Sequence, residues 1–263
     1  MKARAPLLCL LLFVLAVPGA AAQLPQGIVR PANEESLSLE ELGSQLFAAN
    51  CATCHGSRGE GIESAPPGQG AGNVTGLGPS LVGVGARAAD FYLRTGYMPL
   101  GHPGEQPRRS RVLFSGRELD ALIQYVASFG EGPPVPSPQP ERGDVARGLE
   151  LFTRHCAGCH QVVTEGGFVT GAVAPPLEDA TPTQIAEAVR IGPYVMPTFS
   201  ENQLSDRDLD AIIAYVEASK DPHDEGGWGI GHLGPVPEGM VTWLVAAVVL
   251  VALCGVIGTR SRS

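Results

Sequence analysis

The chain has 263 residues, a formal charge of −9 and an apolar fraction of 44%, which is length for one large domain or two small ones and composition enough for a core. No basic run is present, which sets nucleic acid aside as a partner. Lysine is confined to Lys2 and Lys220, so docking through a ring of lysines is excluded as well.

Residues 1–22 read as a secretory signal. Lys2 and Arg4 supply the positive start, Leu7 to Val17 the apolar stretch, and Ala20-Ala21-Ala22 a cleavage site before Gln23. An uncleaved anchor is the other reading, although the apolar run falls short of the roughly 20 residues a span needs. Residues 23–37 are a polar lead-in. A helix then starts at Ser38, where Ser38 and Glu41 form a capping-box pattern and Leu39, Leu42 and Leu46 follow at helical spacing. It runs into Cys51-Ala52-Thr53-Cys54-His55.

Gly56 to Pro79 is loop by composition, and a short helix around 88–94 leads to Met98-Pro99. A second capping box, Ser115 to Glu118, opens a helix striped by Leu119, Leu122, Ile123 and Val126. Gly130 to Pro140 holds five prolines and reads as a semi-rigid linker. The pattern then repeats. Gly43-Ser-Gln-Leu46-Phe47 returns as Gly148-Leu-Glu-Leu151-Phe152, followed by Cys156-Ala157-Gly158-Cys159-His160. Arg94-Thr-Gly96 before Met98-Pro99 returns as Arg190-Ile-Gly192 before Met196-Pro197, and the last helix returns after Ser205. The expected organisation is one domain at 38–130, a Pro-rich linker at 131–143, a second domain of the same kind at 144–221, and a Gly-rich segment at 222–239.

Residues 240–258 are uncharged and apolar, long enough for one transmembrane helix. Trp243 sits near one end, and Arg260 and Arg262 follow the other. Positive charge marks the cytoplasmic side, so the C-terminus is expected in the cytoplasm and both domains outside the cell membrane.

C-x-x-C-H is the signature of covalent c-type haem attachment. Two thiols separated by two residues reach two vinyl groups on one porphyrin edge, and the next histidine stands beneath the ring where a nitrogen can bind iron. Two occurrences predict two haem c groups, held by Cys51 and Cys54 and by Cys156 and Cys159, with His55 and His160 on the irons. A four-thiolate zinc site or a thioredoxin-like redox pair would not call for a histidine after each pair. Of the four methionines, Met1 starts the chain and Met240 opens the membrane helix. Met98 and Met196 each follow a haem motif and precede a proline, so both are expected as axial ligands rather than core filler. His102 is read as a surface loop residue, with ligation of the first iron the alternative, while His155, His223 and His232 are read as bystanders. A closed coordination sphere favours electron transfer over peroxide chemistry or gas sensing. Gly43 and Gly148 suggest close helix crossings, with Phe47 near Tyr125 and Phe152 near Tyr215, and Pro79 and Pro175 offer carbonyls to the ligating histidines.

These motifs, with Gly/Ala-Pro-x-Leu and the Leu/Ile-x-x-Tyr-Val helix, resemble class I cytochrome c over residues 38–130 and 144–220. The resemblance implies a mainly α fold of short helices wrapped around each haem, with almost no sheet. The order of signal, two c-domains, the run from Gly226 to Gly239 and one C-terminal span is similar to the dihaem cytochrome c subunits of actinobacterial menaquinol–cytochrome c reductases. That implies the electron-transfer subunit of a quinol–cytochrome c reductase, a respiratory translocase, with no catalytic residue of its own. Its implied partners are cytochrome b, the Rieske iron–sulfur subunit and a terminal oxidase. A free-standing anchored dihaem carrier or an oxidase cytochrome subunit is the alternative.

Overall fold

A computed structural model describes residues 27–63, 77–101, 105, 107–221 and 235–260. The signal segment, Cys9, His102, His223, His232 and most of the Gly-rich segment lie outside the described residues. The architecture is mainly α. The elements in chain order are α1 (Leu39–Asn50), α2 (Ala52–His55), α3 (Gly85–Arg94), α4 (Gly116–Ala127), α5 (Val145–His155), α6 (Ala157–His160), strands β1 (Gly167–Val169) and β2 (Ala172–Ala174), α7 (Pro182–Ile191), α8 (Asp206–Lys220) and α9 (Pro235–Arg260).

Local chemistry starts the long helices. Ser38 and Ser115 each accept the backbone N–H of a glutamate three residues on, and Glu41 and Glu118 reach back to the serine N–H. Asp144 caps α5 and Ser205 caps α8 in the same sense. In each half the first helix crosses the last at a glycine. A Cβ on Gly43 would sit inside the Ala121 carbonyl, and one on Gly148 inside the Ala211 carbonyl. That close approach seats Phe47 and Phe152, each 1% exposed, against Tyr125 and Tyr215 at ring-centre distances of 5.6 and 5.3 Å.

Two compact units emerge. One comprises residues up to Ser137 together with Thr183–Phe199, and the other Pro138–Pro182 with Ser200 onward. The sequence repeat assigns 183–199 to the second half, yet in space it groups with the first. There Arg109 donates to Gln184 at 3.3 Å, and Glu187 lies near Asp90. The first unit's core gathers Leu42, Leu46, Phe47, Leu93, Leu119 and Leu122. The polar lead-in closes over it: Arg30 makes a two-pronged ion pair with fully buried Glu118, at 2.6 and 3.2 Å.

Three details differ from expectation. Helix α3 begins at Gly85 rather than near 88, because an acceptor for its early Arg87 N–H comes from the linker, Pro133 O at 3.1 Å, and not from a local capping side chain. Helix α9 extends beyond 240–258 to Pro235 and Arg260, since prolines in a first turn cost no hydrogen bond. And β1 and β2 form an antiparallel ribbon, Phe168 opposite Val173, turning at Thr170-Gly171. From Gly239 to Arg260 α9 is apolar, 22 residues long, and buries none of that surface, and among the described residues it is the one helix long and apolar enough to anchor the chain in a membrane.

Candidate functional site

Cys51 ends α1 and opens α2. Its own N–H donates to Phe47 O at 2.8 Å, while the N–H groups of Cys54 and His55 both donate to Cys51 O, at 3.1 and 3.0 Å. One helical turn therefore stacks positions i, i+3 and i+4 on one side. The second half repeats this, with Cys159 and His160 donating to Cys156 O at 3.1 and 2.9 Å. All four cysteines are free thiols. Burial, reinforced by the neighbouring thiol, pushes Cys51 and Cys156 up to about 12.

The histidine of each motif is fixed in one tautomer. Because a carbonyl can only accept, His55 Nδ1–H donates to Pro79 O at 2.8 Å, and His160 Nδ1–H donates to Pro175 O at 3.1 Å. Nε2 is left with its lone pair. Burial lowers both histidine pKa values, with the proline carbonyl pulling the other way. Neutral imidazole held through its outer N–H is the metal-binding form. Both carbonyls are the ones expected from the sequence.

Met98 is half-buried and packs against the first core together with Cys51 and Ala52. Its N–H donates to Tyr92 O at 3.0 Å, next to an aromatic trio of Phe91, Tyr92 and Tyr97. Met196 is also half-buried, in a turn where its N–H donates to Pro193 O at 3.0 Å. The turns before both methionines are built alike: Gly96 and Gly192 take φ of +68° and +66°, a left-handed conformation that a side chain would strain. In each motif a pair of thiols followed by a neutral imidazole with Nε2 available is a donor set suited to haem c.

Some features of this region escape sequence reading. Ribbon β1–β2 rises directly from the second motif, with Gly166 N–H donating to His160 O at 3.0 Å. Alternation in Phe168-Val169 and Val173-Ala174 around a Thr-Gly turn was the available signal. Glu187 is fully buried, its carboxyl next to that of Asp90. Burial, then the charge of Asp90, raises its pKa to about 8 against the opposing pull of Arg94 and Arg87.

Comparison with known proteins agrees with the repeat. Residues 40–129 match the cytochrome c family model, and residues 143–216 match the model for subunit III of cbb3-type cytochrome c oxidase. A cytochrome bc1 complex cytochrome c subunit of Corynebacterium diphtheriae is 36% identical over 258 residues, covering 91% of this chain and 88% of the relative. One from Mycobacterium tuberculosis is 37% identical, covering 96% and 90%. A cbb3-type cytochrome c oxidase subunit CcoP of Azospirillum is 27% identical, covering 70% and 62%.

Proposed function

Because the chain belongs to the cytochrome c subunits of actinobacterial cytochrome bc1 complexes, we propose that it passes electrons from the Rieske iron–sulfur subunit to a terminal oxidase through two covalent haem c groups. Respiratory electron transfer follows from the family. The finer path rests on one observation above all, the duplicated C-x-x-C-H turn whose histidine is tied through Nδ1 to a proline carbonyl in both halves.

In this reading Cys51 and Cys54 anchor one haem, and Cys156 and Cys159 the other. His55 and His160, with Met98 and Met196, would ligate the irons. When bound, haem supplies one-electron chemistry at iron. The protein's residues do the rest: the thiols fix the ring's edge, the proline carbonyls orient the imidazoles, and the thioethers close the irons and raise their potential relative to two histidines. Arg260 at the end of the membrane helix and Arg262 after it support a cytoplasmic C-terminus, with both haem units outside. The surrounding complex, with cytochrome b and the Rieske protein, would be the quinol-oxidising translocase, and this chain its exit relay.

Detergent purification tests the assignment. Cytochrome b and Rieske subunits should co-elute, with a haem c to polypeptide ratio of two. Met98→Ala and Met196→Ala should each open one iron to carbon monoxide; a wild-type protein that already binds it at either haem defeats the closed-iron assignment. The match of 143–216 to an oxidase subunit favours one second reading, a cytochrome subunit of an oxidase. Co-elution with oxidase subunits and no cytochrome b would establish that instead.

A further inference from the structure

An electron relay needs a place of exit, and the loop after His160 carries apolar surface that its own fold leaves uncovered. Phe168, central in β1, is 93% exposed, and Val173, its cross-strand partner, 62%. Residues directly opposite in a ribbon project from one face, so the two form a single knob. Val162 and Val163, immediately after the motif, are exposed as well.

The knob is not on a loose tip. Gly166 N–H donates to His160 O at 3.0 Å, and Gln161 Nε2 donates back to Gly166 O at 2.5 Å. At the other end β2 runs into Pro175, whose carbonyl takes the His160 Nδ1–H. Tyr215 OH adds a bond to Val162 O at 2.6 Å. Both ends of the ribbon are thus fastened to the proposed iron ligand, which holds Phe168 at a fixed offset from it.

Its charge setting is mainly acidic, although Lys220 reaches the end of the segment, its Nζ donating to Ala180 O at 2.5 Å. No Lys or Arg occurs between Arg154 and Arg190, whereas Glu165, Glu178 and Asp179 are exposed on the same segment. An acidic rim disfavours an anionic lipid surface and suits a positively charged protein.

We propose that Phe168 and Val173 are the docking knob for the protein that takes electrons from the second haem, a partner presenting an apolar depression rimmed by Lys or Arg. The inference rests on the relay reading above. One electron crosses, oxidising the donor iron by one and reducing the acceptor's metal centre by one; no bond or proton moves. Exposed aromatic anchors commonly dominate such interfaces.

The test uses the intact complex in its native membranes, with Phe168→Ser and Phe168→Glu. Quinol-driven oxygen uptake should fall roughly tenfold in F168E and less in F168S, and less oxidase should co-purify. Reduction of ferricyanide, a small acceptor needing no docking, should stay at the wild-type level, as should the haem spectrum and midpoint potential. Unchanged oxygen uptake and co-purification overturn the proposal. So does a shifted spectrum or potential, which would make Phe168 part of the haem's own packing. A loss seen in membranes and absent in detergent would assign the knob to lipid and likewise overturn it. Failure of the relay reading looks different: oxygen uptake surviving Cys156→Ser would remove that reading, whatever Phe168 does.

Discussion

Glu118 and Asp208 occupy the same place in the repeat, third in the last helix of each half behind a capping serine, yet one is sealed from water and the other is not. Glu118 is fully buried, takes the Ser115 N–H at 2.6 Å and grips Arg30 on two sides. Asp208 meets Arg147 at 3.3 Å with both side chains partly in water. One methylene accounts for part of this, because the shorter acid does not complete the capping box. The lead-in segment accounts for the rest, since it brings Arg30 onto Glu118 in the first unit, whereas the segment before α5 in the second meets Asp210 rather than Asp208. A shared core thus tolerates opposite treatments of its edge, one clamped and one presented to solvent.

The comparison can be broken most strongly at Glu118. Glu118→Ala leaves Arg30 largely buried without its carboxylate and should cost about 3 kcal/mol, read as a lower midpoint for the first unit's unfolding in a denaturant titration. Next come Gly43→Ala and Gly148→Ala. Helix propensity alone would favour each by about 1 kcal/mol, but each Cβ would meet a backbone carbonyl that cannot rotate away. Both should therefore destabilise by about 2 kcal/mol, and about equally. A gain in stability at either glycine would sink the close-crossing account.

Glu187 gives a pH signature. Its folded pKa is raised from 4.5 to about 8, so the folded state holds a proton the unfolded chain has released. Its contribution is fully present below pH 4.5 and is lost as pH rises through about 8. The wild-type melting temperature should decline across that window more steeply than that of Glu187→Gln; parallel curves would refute the shift. The smallest effect belongs to Asp208→Ala, which should cost under about 1 kcal/mol. A loss as large as that of Glu118→Ala would mean that burial is not what separates the two sites.

What the sequence makes legible here is local or repeated. Capping serines announce the helices because the cap bonds lie within four residues. The duplicated Cys-x-x-Cys-His, Arg-x-Gly and Met-Pro runs mark the two donor sets, and each His–carbonyl bond reaches a Pro flagged by the same repeat. The Arg30–Glu118 pair joins residues 88 apart, and nothing near Arg30 announces its partner. Helix α7 shows the same limit. Its sequence copies α3, yet Gln184 and Glu187 meet groups of the first unit, a placement decided by contacts no periodicity encodes. Ribbon β1–β2 was hidden for another reason: three-residue strands carry too few alternations to stand out among glycines.

The clasp of the lead-in has a consequence for biogenesis. Val29 exchanges hydrogen bonds with Asn50, N–H to Oδ1 at 2.8 Å and O from Nδ2 at 2.9 Å, beside Cys51. The stretch that lies there is locked by Glu118, which a ribosome makes long after Arg30. Until that residue is synthesised the strap has no latch, so the N-terminal edge of the first unit is secured only once its last helix has been made.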